Sequence, residues 1–154
     1  MNNNLNNKLN DKDNANEIEI KIETKITDAL REEVFQLYLE GNWWKKDDRK
    51  NIHLIDEVIK NSFCFVAAFS QKKLIGMGRV ISDGLSDAYI QDIIVTKSFR
   101  GKGIGKSIVK KIVDHLKEKK VAWIALIAQP GTSSFYTDLG FKEMKDYTPM
   151  LLED

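Results

Sequence analysis

The residues best placed to do chemistry run from Ile93 to Ser107, and centre on Arg100-Gly101-Lys102-Gly103-Ile104-Gly105-Lys106. A strand-like run feeds a glycine-rich turn, and the turn opens a helix. Glycines let backbone N–H groups converge on one concavity, and a helix N-terminus adds partial positive charge. Arg100, Lys102 and Lys106 add formal charge, so the segment suits phosphate oxygens. Spacing separates the anion sites that share this layout. A nucleotide P-loop requires G-x-x-x-x-G-K-[ST]; Gly105-Lys106-Ser107 supplies its end, but Arg100 stands at its first glycine. A dinucleotide fingerprint requires G-x-G-x-x-G. Read from Gly101 it ends on Lys106, and read from Gly103 it ends on Ile108. The spacing that fits is [QR]-x-x-G-x-[GA], from Arg100 to Gly105.

With that motif, and with Ser134-Phe135-Tyr136-Thr137-Asp138-Leu139-Gly140-Phe141 downstream, the chain resembles the GNAT superfamily of acyl-CoA N-acyltransferases. The second segment resembles that family's F-Y-x-x-x-G-F signature, and a helix and a strand separate the two, as in the family. The resemblance covers about Glu17 to Leu152. It implies acetyl-CoA as co-substrate, with the pyrophosphate cradled by Arg100, Gly101, Lys102, Gly103, Ile104, Gly105 and Lys106. It also implies pantetheine beside the strand at Ile93, Ile94 and Val95, with a backbone N–H there facing the thioester oxygen. Tyr136 then becomes the candidate general acid toward the leaving thiolate, since a phenol of pKa ~10 is protonated at neutral pH. The alternative is that Tyr136 only packs beside the co-substrate. Many relatives carry asparagine seven residues before this tyrosine. Here the position is Gln129, followed by Pro130-Gly131, so that contact is a departure from the family pattern.

The amine must be neutral to attack, which raises the question of a base. Asp92 reads as a mid-strand carboxylate on one face with Ile90 and Ile94. Burial would raise its pKa toward a useful value, but it could equally be a structural acceptor, and a water chain to solvent competes for the role. Asp87, Tyr89 and Gln91 are weaker candidates, and His53 and His115 read as surface or edge positions. Trp43-Trp44, in the loop expected on the acceptor side, can wall a site for an apolar or cationic amine or plug the core edge. The activity implied is transfer of acetyl to a primary amine, with a small-molecule acceptor preferred. Protein acetylation and a non-catalytic acetyl-CoA sensor are the alternatives.

Stepping from site to scaffold, Ile18, Ile20 and Ile22 alternate with charged residues as a strand. Thr27-Asp28 offers a helix cap. Leu30, Val34, Leu37 and Tyr38 then repeat at helical spacing to about Glu40, where Gly41-Asn42 stops them. A second helix is expected from Asp47 to Lys60. Phe63–Phe69 and Leu74–Ser82 read as a hairpin, and Ala88–Thr96 as the strand into the loop. Ile108, Ile112 and Leu116 make the buried stripe of a helix over Lys106–Lys119. Val121–Ala128 is apolar throughout, as in mid-sheet. Ser133–Leu139 is a short helix closed by Gly140, and Lys142–Leu152 is expected to add a last pair of strands. The fold class is α/β (α+β): a mixed sheet of six or seven strands flanked by about four helices.

The bulk properties set the limits. The chain has 154 residues with 42% hydrophobic and 31% charged, the balance of one soluble domain over 17–154. Residues 1–16 are asparagine-rich and too polar to offset ordering entropy, so they are expected to form a disordered tail. Net charge is +1, which draws the chain toward neither nucleic acid nor membrane. No apolar run reaches the ~18 residues of a membrane helix, and no secretory h-region stands at the N-terminus. The lone Cys64 cannot form an internal disulfide, which fits a cytoplasmic location and a core role. No metal is expected. The resemblance admits a homodimer, although no residue marks an interface.

Overall fold

A computed structural model describes residues 17–153. The tail expected over 1–16 lies outside them. Five strands form one sheet in the order β1-β2-β3-β4-β5: β1 (Ile18–Ile22), β2 (Cys64–Ser70), β3 (Lys73–Ser82), β4 (Asp87–Val95) and β5 (Trp123–Ala125). The first three pairings are antiparallel, and β4 with β5 is parallel. The β2–β3 hairpin turns through Gln71 and Lys72, both at positive φ, as a two-residue turn matched to strand twist requires.

Each sheet face carries its own helices. On one face α3 (Ile104–Glu118) buries Ile104, Ile108, Ile112 and Leu116, none more than 3% exposed. Each contributes about 1.5–3 kcal/mol by leaving water. On the other face lie α1 (Asp28–Glu40) and α2 (Leu54–Lys60). The Thr27 side chain caps α1 by accepting from the Leu30 N–H at 3.1 Å, satisfying one of the free donors at a helix start. Arg31 of α1 holds α2 with a two-pronged grip on Asp56, at 2.6 and 2.8 Å. Leu30, Val34 and Phe35 meet Ile55 and Ile59 over Met77 and Ile94 of the sheet. A short α4 (Ser133–Thr137) follows β5. Cys64 is buried at 4% exposure, as a core residue should be.

Four expectations are corrected. The helix expected over Asp47–Lys60 is a 3-10 turn (Lys46–Asn51) followed by α2. The Val121–Ala128 strand shrinks to three residues at the sheet's edge rather than its middle, and Ile127 is 71% exposed. No strand forms within Lys142–Leu152. Pro149 has no N–H to give a ladder, and Asp146 at φ 64° turns the chain out of extended geometry. The sheet therefore has five strands, not six or seven.

Candidate active site

The site begins with an irregularity in β4. Arg79 pairs with Gln91 but Met77 pairs with Ile94, so Asp92 and Ile93 together face one residue of β3. This is a β-bulge, with Asp92 in the left-handed region at φ 55°. The extra residue reverses the alternation. Ile90 packs on the α3 side and Ile94 on the α1–α2 side, so Asp92 does not share one face with both, as strict alternation would have it. Contact with β5 stops short of the bulge: the parallel pairing spans only Asp87–Tyr89 with Trp123–Ala125. Beyond it β5 ends, and the chain through Ile127 and Gln129 leaves a wedge beside β4.

A cavity of about 350 Å³ fills this wedge. Its lining includes Gln91, Asp92 and Ile93 from β4, Gln129 and Tyr136 from the other wall, and Trp43. A larger groove of about 810 Å³ lies between α3, β5, α4 and the segment Phe141–Pro149. The glycine loop lines neither and Tyr136 lines both, but only the smaller is lined by the bulge residues Asp92 and Ile93, which makes it the candidate site.

Asp92 is held from behind. Its Oδ2 accepts from the Tyr38 hydroxyl at 3.0 Å and from Arg79 Nε at 2.5 Å. Oδ1 accepts from none of the described residues. Arg79 also donates to Gln91 Oε1 at 3.0 Å. Burial, and next the Asp92 charge, push the Tyr38 phenol well above its ordinary range, so it stays a donor. Asp92 is therefore a paired carboxylate that lines the cavity, with Oδ2 committed and Oδ1 without a hydrogen bond among the described residues.

Tyr136 lies across the wedge, ring edge to face with Phe135 at 4.8 Å and Phe141 at 6.0 Å. Its hydroxyl makes no hydrogen bond among the described residues, and burial raises its pKa. The two tryptophans divide the roles open to them. Trp44 stacks on Tyr38 at 5.3 Å and meets Phe35 at 6.0 Å, plugging the core edge. It does not line the cavity, and only Trp43 serves as wall. Gln129 lines the cavity, and its backbone carbonyl is taken by Thr132 N–H and Oγ1 at 3.0 and 2.8 Å. Tyr89 also lines it, whereas Asp87, His53 and His115 do not.

The glycine loop follows at the open end of β4. Gly101 (φ 75°) and Gly103 (φ 78°) adopt left-handed geometry, and a Cβ at either would face open space, so the concavity is free for a ligand. Gly105 serves packing instead: a Cβ there would lie 3.3 Å from Phe135 Cζ, so the glycine lets α4 sit against the start of α3. No side chain caps α3, which leaves its first N–H groups available to an anion. The three loop cations all have internal company. Arg100 Nε donates to the Val95 carbonyl at 2.8 Å, Lys106 pairs with Asp138 at 2.8 Å, and Lys102 lies 4.7 Å from the Phe99 ring centre.

A family profile described as the acetyltransferase (GNAT) domain matches residues 32–149. The chain belongs to the GNAT family of acetyltransferases. An uncharacterised N-acetyltransferase, ycf52, from Pyropia yezoensis is 31% identical over 71% of this chain and 63% of its own length. Chloroplastic GCN5-related N-acetyltransferase 2 of Arabidopsis thaliana is 40% identical over 47% of the chain and 28% of its own length. Histone acetyltransferase TAP1 of Glycine max is 30% identical over 61% of the chain and 46% of its own length. The chain thus spans less than two thirds of these relatives. A probable acetyltransferase from Staphylococcus aureus superposes with TM-score 0.73 at 25% identity, over 90% of this chain and 100% of that one.

The candidate site includes three residues that no sequence motif marks. In the sequence Tyr38 belongs to an apolar helical stripe, and Arg79 to a strand-like run. Yet they fix Asp92. Glu40, at the end of α1, accepts from Thr96 Oγ1 at 2.8 Å and from the Lys97 N–H at 2.5 Å, and lies 3.6 Å from Arg100. It ties the glycine loop to the helix that leads into Trp43. One signal was available for the bulge: Gly78, opposite it in β3, where a Cβ would collide with Ile93. Glycine inside a strand marks such sites.

Proposed function

We propose that this GNAT chain transfers acetyl from acetyl-CoA to the primary amine of a small molecule. The observation that carries the reading is the wedge between β4 and β5, with an open glycine loop at one end and Asp92, Tyr136 and Trp43 around its cavity. The fit to acetyl-CoA rests on two features. The loop offers backbone donors and free space to a pyrophosphate. The edge of β4 after Tyr89 has no strand partner on its β5 side among the described residues, so an extended arm can lie along Ile93, Ile94 and Val95.

Acetyl-CoA, when bound, supplies an activated thioester. In the net reaction the amine nitrogen forms a C–N bond to the acetyl carbon as the C–S bond breaks, the amine loses one proton and the departing thiolate gains one. Within the chain, the bulge places Asp92 and Ile93 in the cavity lining, and a backbone N–H there is the donor proposed for the thioester oxygen, since fixed donors stabilise negative charge on oxygen by several kcal/mol. Tyr136 holds its proton because burial raises its pKa, and it can give that proton to sulfur. Asp92 orients the amine through Oδ1. Tyr38 and Arg79 fix its other oxygen, which suits a positioning role, and a water path to solvent takes the amine's proton.

The cavity is small and walled by Trp43, which supports a small acceptor. A second reading, acetylation of protein lysines, draws on the soybean relative named as a histone acetyltransferase. The experiment is calorimetric titration with acetyl-CoA, with ATP and NAD as controls, then thiol release with amine and peptide acceptors. Selective acetyl-CoA binding with turnover of free amines is expected. Absence of acetyl-CoA binding would sink the reading. The Gly103→Asp variant should lose binding through crowding and charge in the loop.

A further inference from the structure

The acceptor end of the wedge has a one-sided charge. Asp92 is the sole acidic residue lining the cavity, and no lysine, arginine or histidine lines it among the described residues. The rest of the polar lining is amide and hydroxyl, and Trp43, Tyr89 and Tyr136 supply ring surface. Arg79, the cation that balances Asp92, is not in the lining. It sits behind, spending its donors on Asp92 Oδ2 and Gln91 Oε1. The pair is neutral overall, but only its carboxylate member lines the cavity, and Oδ1 has no hydrogen-bond partner among the described residues. The Asp92 side chain is 22% exposed, so that oxygen is reachable.

An acceptor carrying its own carboxylate or phosphate would bring a second anion beside Asp92 and find no cation to replace its lost water. An ammonium gains both the open oxygen and the faces of the rings. We propose that the acceptor is an amine with no anionic group, bearing an aromatic ring or a second ammonium, and that Asp92 Oδ1 with the Trp43, Tyr89 and Tyr136 rings recognises it. This rests on the small-molecule reading above and narrows it, setting amino acids and sugar phosphates aside.

The test uses pairs that differ by the anion alone: phenethylamine against phenylalanine, tryptamine against tryptophan, and cadaverine against lysine. Thiol release from acetyl-CoA gives kcat/KM for each with the full chain. The anion-free member of each pair that is turned over should lead by at least about tenfold, since juxtaposed like charges carry penalties of that order or more. Ile127→Lys then places a cation in the lining at a side chain 71% exposed, where folding is insensitive to it, and should narrow the ratio by about tenfold. Parity, a lead for any anionic member, or a ratio unmoved in the lysine variant would overturn the proposal while leaving acetyl transfer intact. Failure of acetyl-CoA itself to bind in calorimetry would remove the underlying reading as well. So would turnover of peptides with none of the six amines.

Discussion

Replacing Asp92 by alanine should unfold the site by a calculable amount. The change removes the partner of Arg79, whose side chain is 17% exposed. Breaking a buried ion pair from one side costs about 3–5 kcal/mol. Both side chains keep roughly a fifth of their surface in water, which discounts the cost to just below that range, about 2–3 kcal/mol. The Tyr38 hydroxyl also loses its acceptor inside a residue only 4% exposed, which adds about 1 kcal/mol. The sum is about 3–4 kcal/mol, or about 6–16 °C in Tm for a domain of this size. Asp92→Gly should recover about 1–2 kcal/mol of that loss, because only glycine is at ease at φ 55°. Asp92→Asn, which keeps an acceptor and tolerates the left-handed region, should be the mildest. Urea unfolding followed by tryptophan fluorescence gives the three values. Pairing Asp92→Ala with Arg79→Met should expose a coupling of at least about 1.5 kcal/mol. An alanine variant within about 0.5 kcal/mol of the parent, or glycine and alanine variants of equal stability, would refute the argument from the ion pair and the bulge.

Three further outcomes are expected. Tyr136→Phe should lower kcat by tenfold or more, at about the low end of general-acid effects, while acetyl-CoA affinity holds. Because burial raises the phenol's pKa, kcat in the parent should show no decline from loss of this proton through neutral and mildly alkaline pH; an equal kcat in both proteins across pH would remove the acid role. Glu40→Ala should weaken acetyl-CoA binding about three- to tenfold, by calorimetry, since it frees Thr96 and Lys97 at the root of the glycine loop and removes two hydrogen bonds. Cys64, buried and with its thiol pushed up to about 11 by that burial, should resist a disulfide reagent at pH 8 in the native protein and react at once in denaturant.

The sequence was most legible where backbone conformation leaves a compositional mark. The glycine loop from Arg100 to Lys106 and the apolar stripe of α3 could both be read from the string. The glycine spacing also decided between three kinds of anion loop. It was least legible where one inserted residue changes what every later residue faces. Asp92 looks from the string like a regular strand position with Ile90 and Ile94, and no side chain advertises that the alternation reverses there. The same limit hid the partnership of Tyr38 and Arg79, which meet Asp92 only because α1 crosses that face of the sheet. The tryptophan pair shows a third case. Adjacent identical residues in a loop point different ways, so Trp43 faces the cavity while Trp44 packs on Phe35 and Tyr38. At the C-terminus the apolar residues suggested strands, but Pro149 and the turn at Asp146 outweighed them.

The short β4–β5 pairing has a consequence for the protein's fate in a cell. Three residues of parallel contact leave most of one flank of β4 without a strand beside it among the described residues. A bare flank of this kind is a template for other chains, and local opening there exposes backbone to proteases. A co-substrate lying along the flank would silence both hazards, stabilising the folded chain by mass action. The lifetime of this protein should therefore follow the supply of acetyl-CoA: starved chains clump or are degraded first, and well-fed ones persist.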